Sequence, residues 1–216
     1  MSGKRTAALF DFDGTITRSD SMLPFLRFVL RRHPVAAASL PRLAIMLAPY
    51  AAGIISKGQM KTAALKMLLH VPRDKRNAVI HDFADSTLSR MYFRGAIERI
   101  NWHKDKGHML VMASASIELY LESAAKNLGF DELIGTRVDP ISLRVTGANC
   151  FGKEKVRRLA EKPWFEDVDW ANSWAYSDHI ADLPILTLCG NPVATTPRKS
   201  LRRLAQQQGW PIMDWS

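Results

Sequence analysis

The 216-residue chain reads as an α/β protein: a doubly wound, mostly parallel sheet interrupted once by an all-helical insertion. Three observations predict this. Four short runs rich in apolar, β-branched or aromatic residues, at 6–12, 108–113, 172–177 and 191–196, have the length of buried strands. Helical spacing separates the last three, and strands alternating with helices make a parallel sheet. Between Ser19 and about Arg94 the alternation stops and only helical patterns occur.

Taken in order, the first strand ends in "DFDGTIT", which sets Asp11 and Asp13 directly after an apolar run. Ser19 and Asp20 then suit a helix start, and Pro24 a first helical turn. Leu23, Leu26 and Leu30, widened by Phe25, Phe28 and Val29, give the apolar face of the first inserted helix. Met60, Ala64, Met67 and Leu68 mark another, and Val79 and Phe83 one that runs towards Met91. After the second strand, Leu121, Ala124, Ala125 and Leu128 are spaced for a helix. Val156, Leu159 and Ala160 form a shorter one, and Ile180, Leu183 and Thr187 follow the third strand.

The predicted organisation is a core at 1–18, a helical cap at 19–94 and the remaining core at 95–216. The stretch "ELIGTRVDPISLRVTG" alternates on both sides of Asp139-Pro140. It reads as a hairpin near 131–148. Inside the insertion, "VAAASLPRLAIMLAPYAAGII" at 35–55 is long enough to raise a transmembrane question. Ser39, Arg42 and two prolines argue against a span and for buried cap helices. An interfacial segment touching lipid is the second reading, favoured by Arg31, Arg32, Arg42 and Lys57.

Composition narrows the class. Apolar residues make up 47% and charged residues 24%, as in an ordinary globular protein. Cys150 and Cys189 have spacing suited neither to a zinc knuckle nor to a disulfide framework, which fits a reducing cytoplasm. The stretch Met1-Ser2-Gly3-Lys4-Arg5 runs into the first strand with no signal-peptide pattern. The net charge of +9 favours anionic partners. Its clusters (Arg31-Arg32, Arg157-Arg158, Arg202-Arg203) read as solvated helix faces, and no nucleic-acid-binding motif accompanies them.

Open parallel sheets do their chemistry just beyond the carboxyl ends of the strands. Asp11 and Asp13 lie there, and so does Ser114, at the end of "HMLVMAS". Lys155 opens the helix of "GKEKVRRL", with Lys153 as its competitor. Asp178 and Asp182 follow the third strand in "SDHIAD". A calcium loop needs further oxygen ligands, and Ile16 and Arg18 supply none. His33, His70, His81, His103 and His108 show no metal-ligand spacing.

These four sites, in this order, resemble the four motifs of the haloacid dehalogenase superfamily. "CFGKEKVRRL", "YSDHIADLPIL" and the helical insertion resemble its phosphoserine-phosphatase-like subgroup (subfamily IB). The resemblance implies a Rossmann-like core and a phosphatase acting through an aspartyl-phosphate. In it Asp11 is the nucleophile and Asp13 the general acid and base. An aspartate at 13 sets the phosphatases apart from the family's dehalogenases and transport ATPases.

The expected cofactor is Mg²⁺, held by Asp11, Asp178 and the Asp13 main-chain carbonyl. Asp182 either binds a metal-bound water or braces Lys155. Ser114 and main-chain groups near Ala115 hold phosphoryl oxygens, and Lys155 balances charge. Gly14 lets the backbone approach the phosphate. Thr15 either orders that loop or caps a turn. Asp20 is either an acidic substrate-binding residue or a helix cap. Ser116 reads as a helix cap and His179 as an exposed helix start.

The carrier of the phosphate stays open. "FLRFVLRRHP" followed by an apolar stretch resembles the phosphatidylglycerophosphatase C type, which implies a phospholipid head group and peripheral contact with an anionic membrane at its inner face. Phosphoserine and histidinol phosphate are the alternatives. A non-enzymatic basic binding protein on the same fold would have lost one of the aspartates, and none is lost.

Overall fold

Ala7 to Phe10 carry no polar residue on either side of the pleat, and such a segment needs cover on both sheet faces. In the computed structural model, which describes residues 4–215, this segment is strand β1 (Ala7–Phe10), buried throughout. The stretch Met1-Ser2-Gly3, read above for a leader, lies outside the described residues. Strand β1 pairs in parallel with β2 (Met109–Ile117) on one side and β4 (Trp174–Ser177) on the other. With β3 (Glu132–Thr136), β5 (Asn191–Thr195) and β6 (Ile212–Met213) the order is β3-β2-β1-β4-β5-β6. The connections reverse direction between β1 and β4, which opens a crevice at that point of the sheet edge.

Register carries the candidate residues to this crevice. Phe10 lies opposite both Met112 and Tyr176, so the three form one row across the sheet. Asp11, Asp13, Ser114 and Asp178 follow that row by one to three residues. The Asp11 N–H continues the ladder by donating to the Tyr176 carbonyl at 3.0 Å.

Both sheet faces are covered, as the strand composition requires. Ala8, Phe10, Met112 and Tyr176 pack on one side with Leu121 and Ala124 of α6 (Glu118–Leu128). Leu9, Val111 and Ala175 pack on the other. Their partners are Leu159 of α7 (Lys153–Ala160), Ile185 of α8 (Leu183–Leu188) and Leu201 of α9 (Lys199–Gln208). Cys150 and Cys189 are buried free thiols.

Between β1 and β2 the chain is helical. Helix α1 (Met22–Arg32) buries Phe25 and Val29. A 3₁₀ turn at Pro34–Ser39 leads to α2 (Leu40–Ala51) and then α3 (Lys57–Leu65). A capping box starts α3: Ser56 Oγ accepts from the Gln59 N–H, and the Gln59 side chain accepts from the Ser56 N–H. Helix α4 (Arg76–Phe83) continues through a π turn at Ala84–Leu88. Phe25 of α1 and Phe83 of α4 meet Tyr120 of α6 at ring distances of 5.2 and 5.4 Å, which fastens the insertion to the core.

Entry and exit of the insertion run side by side. The Arg18 N–H donates to Met91 O and the Phe93 N–H to Ile16 O. Helix α5 (Arg94–Asp105) then returns the chain to β2.

Two expectations need correction, and one strand was not expected. The hairpin near 131–148 is shorter than expected: residues 132–136 are β3, paired in parallel with β2. The chain does turn back around Asp139-Pro140, where an antiparallel bridge joins Val138 and Val145, the Asp139 N–H donates to Arg144 O and the Thr146 N–H to Arg137 O. Strand β6, two residues long, has no distinct signal in sequence. The apolar stretch at 35–55 is not buried: α2 contributes no buried side chain, and of the preceding turn only Ala36 is covered. Among the described residues, no helix is long and apolar enough to cross a membrane.

Candidate active site

After β1 the chain turns back sharply. The N–H groups of Ile16 and Thr17 both donate to the Phe12 carbonyl, at 2.8 and 3.0 Å. Gly14 makes the turn possible with φ +84°. A Cβ at this position would lie 2.6 Å from Asp178 Oδ2, so the backbone rests directly against that carboxylate. Gly14→Ala combines this clash with left-handed strain. The expected result is a loss of about 1–3 kcal/mol in stability, read from denaturant unfolding, with activity falling further than stability.

Thr15 joins two loops. Its hydroxyl donates to Asp11 Oδ2 at 3.4 Å and accepts the Asp178 N–H at 3.0 Å. Of the two readings open for Thr15, ordering the loop is the one that the bonds support.

Lys155 is 1% exposed and lies between two carboxylates, 2.7 Å from Asp11 Oδ1 and 2.8 Å from Asp182. Lys153 is exposed on the same helix and reaches neither. Asp182 also accepts from Ser177 Oγ at 2.8 Å, so it braces Lys155. Burial pushes the Asp11 carboxyl up, against the pull of the Lys155 ammonium, and the Asp182 and Asp178 carboxylates add to the rise. Desolvation alone would lower Lys155, but Asp11 and Asp182 outweigh it and hold the ammonium above the ordinary lysine range.

Asp13 points into a chain of hydroxyls. Oδ1 accepts the Ser21 N–H at 2.9 Å, and Oδ2 accepts from Ser116 Oγ. Ser21 Oγ in turn lies 2.8 Å from the Tyr120 hydroxyl. Burial, with help from Asp20, raises the Asp13 carboxyl to about 6, while the bonds from Ser116 and Ser21 hold it down. Ser116 is therefore not a helix cap. It belongs to β2, two residues past Ser114 and on the same side of the strand, and that period-2 spacing is the signal that could have found it. Ser114 is 1% exposed. Its Oγ accepts the Ser116 N–H at 3.0 Å, a bond that leaves its own proton uncommitted.

Asp11, Asp13, Ser114, Ala115, Lys155, Asp178 and Asp182 all line one cavity of about 600 Å³. Three further groups there, Arg198, Lys61 and Asn149, have no signal in sequence. Arg198, after β5, places Nε 2.9 Å from Asp178 Oδ2. Lys61, from α3, donates to the Ala115 carbonyl and to Asn149 Oδ1 at 2.6 Å. Burial lowers Lys61 to about 8, against the opposing pull of Asp13 and Asp20. These contacts span 20 to 88 residues, which no local pattern encodes. Asp20 is exposed, lines the cavity and accepts the Met22 N–H at 2.8 Å as a cap does. His179 is half-buried, and its Nδ1 accepts the Ala181 N–H at the start of a short turn.

Among the described residues, no three His, Cys, Asp or Glu side chains gather into a metal cage. Asp11 and Asp178 nevertheless offer hard oxygen donors on either side of Thr15. Burial raises both carboxyls, Asp11 against the pull of Lys155 and Asp178 against that of Arg198. Such a donor set fits Mg²⁺.

A probable phosphatase of Mycobacterium tuberculosis is 28% identical over 220 residues, covering 98% of this chain and 76% of the relative. A Bordetella pertussis Tohama I protein of unknown function has a structure with TM-score 0.84 and 24% identity, covering 98% of this chain and 99% of that one. A substrate-bound phosphoserine phosphatase complex matches at TM-score 0.63 and 18% identity, over 98% and 94%. At these identities the two structures speak for the fold alone. Residues 8–187 match the haloacid dehalogenase-like hydrolase family and take in every carboxylate described above. The chain belongs to the haloacid dehalogenase-like hydrolases.

Proposed function

We propose that the protein is a Mg²⁺-dependent phosphomonoester hydrolase that works through an aspartyl-phosphate on Asp11. The observation that carries this reading is the pairing of Asp11 with buried Lys155 at 2.7 Å, with Asp13 held by hydroxyls in the same cavity. The relative named a probable phosphatase supports it.

A carboxylate oxygen of Asp11 attacks phosphorus in line with the ester oxygen. The P–O ester bond breaks, and its electron pair goes to the leaving alkoxide, which takes the Asp13 proton. Asp13, now a carboxylate, takes a proton from water as that water attacks phosphorus. The second displacement releases phosphate and restores Asp11 and the Asp13 carboxyl. A group near 6 serves both directions of transfer at neutral pH.

Lys155 holds the charge of Asp11 and of the phosphoryl group it receives. Ser114 donates to a phosphoryl oxygen. Asp11, Asp178 and the Asp13 carbonyl are the groups that would hold Mg²⁺. When bound, the ion supplies charge neutralisation for an anion attacking an anion. Helices α1 to α3, which line the cavity, act as the part of the cap that shuts water out of it. The two buried free thiols suit a reducing, cytoplasmic setting.

The carrier of the phosphate is a phosphorylated small molecule. A phospholipid head group and an amino-acid-like phosphate are the two kinds that the family resemblance offers. The test is phosphate release over a panel of phosphomonoesters, including phosphatidylglycerophosphate, phosphoserine and histidinol phosphate, with and without Mg²⁺. Turnover of at least one member, abolished by chelator and restored by Mg²⁺, is expected. No turnover of any member, or turnover indifferent to chelation, contradicts the proposal.

A further inference from the structure

The cavity is larger and more apolar than a phosphoryl site requires. Its floor is the sheet edge with Asp11, Ser114 and Lys155. Its walls are Leu23 and Leu26 of α1, Leu43, Leu47 and Tyr50 of α2, and Met60 of α3. A volume of about 600 Å³ falls in the range of sites that enclose a whole small ligand.

Leu26 and Leu43 of the wall pack in part against the core, but Leu23 and Leu47 are not spent on the fold. Helix α1 turns Phe25 and Val29 into the core, yet leaves Leu23 52% exposed on the cavity side. Helix α2 fully buries no side chain, Leu43 alone packs in part against the core, and Leu47 is 55% exposed. A mostly apolar helix with so slight a core contact is costly in water, and contiguous exposed apolar surface marks a binding site. This surface is continuous with the carboxylates that would handle phosphate. Lys57 and Lys61 lie along the same cavity and favour an anionic head over a neutral one.

From this we infer that the apolar arm takes the hydrocarbon chain of the substrate, so that the enzyme acts on amphiphilic phosphomonoesters: a phosphate head on an extended apolar tail. The inference rests on the phosphatase reading and adds the substrate class to it. Its occupant is the tail itself, because one end of the groove opens onto the reacting group.

The test uses straight-chain alkyl phosphates from two to ten carbons, each below its micelle concentration, on the full chain with Mg²⁺. The expected result is a rise in kcat/KM of about two- to fourfold per added methylene until the arm is full. Leu23→Glu and Leu47→Glu should flatten that slope. Both positions are about half exposed and outside the buried core, so the variants should fold, and thermal unfolding checks this. Alkylphosphonates of the same lengths, titrated calorimetrically, read tail binding apart from hydrolysis. Chain-dependent binding without hydrolysis of any member keeps the arm and sinks the phosphatase reading. Hydrolysis that ignores or declines with chain length overturns the inference and leaves that reading standing. Glutamate variants that split a dimer into monomers with the slope unchanged would make this face a contact between copies, which also overturns it.

Discussion

Asp11→Asn should reduce Mg²⁺-dependent phosphate release by about 10⁴-fold or more while the protein stays folded. An amide oxygen keeps the shape of the carboxylate and accepts from Lys155, but it is not a nucleophile for phosphorus. The size of the loss follows from what is removed. Without the aspartyl-phosphate, the two displacements merge into one direct attack by water, against a very large intrinsic barrier. The fold should not suffer, because the side chain is buried at a cost to its charged form. Steady-state turnover and thermal unfolding of the same preparation separate the two effects. Wild-type turnover in the variant would remove Asp11 from the mechanism.

Lys155→Met carries the second large effect, and it reaches both stability and activity. The ammonium is 1% exposed and neutralises Asp11 and Asp182 at once. Its removal leaves two buried carboxylates facing each other, and breaking a buried ion pair in this way costs about 3–5 kcal/mol. For a domain of this size that is about 10 °C in Tm. Activity should fall about a thousandfold or more, because the nucleophile loses the charge that keeps it ionised beside an incoming dianion. Lys153→Met, at an exposed position in the same helix, should change neither quantity by a measurable amount. Equal behaviour of the two variants would mean that Lys155 is not the counter-charge.

Much of this architecture is legible in the chain. An apolar strand ending in Asp-x-Asp has no structural use for its acids, and parallel topology dictates where such a strand must end. Lys155, Arg158 and Leu159 share the buried face of α7, so helical spacing is enough to separate Lys155 from Lys153. What stayed hidden depends on tertiary distance. Ser21 and Tyr120 meet 99 residues apart, and Arg198 reaches Asp178 from the far side of a helix and a strand. Residues 132–136 alternate as a hairpin arm would, and only the parallel register with β2 tells a core strand from it. The apolar stretch at 35–55 failed for a different reason. Hydrophobicity measures the cost of exposure to water, not which surface relieves it, and α2 lies over a cavity rather than in a core.

The central claim, that phosphorus becomes covalently bound to Asp11, has a direct chemical readout. An acyl phosphate is reduced by borohydride, whereas a free carboxylate is not. Protein quenched during turnover and treated with borohydride should yield, by peptide mass spectrometry, homoserine in place of aspartate at position 11. With an aryl phosphate, whose phenolate leaves without a proton from Asp13, Asp13→Asn should raise its yield, because only the second displacement then lacks its proton-transfer partner. Reduction at another residue, or none at Asp11 while substrate is being turned over, would contradict the account.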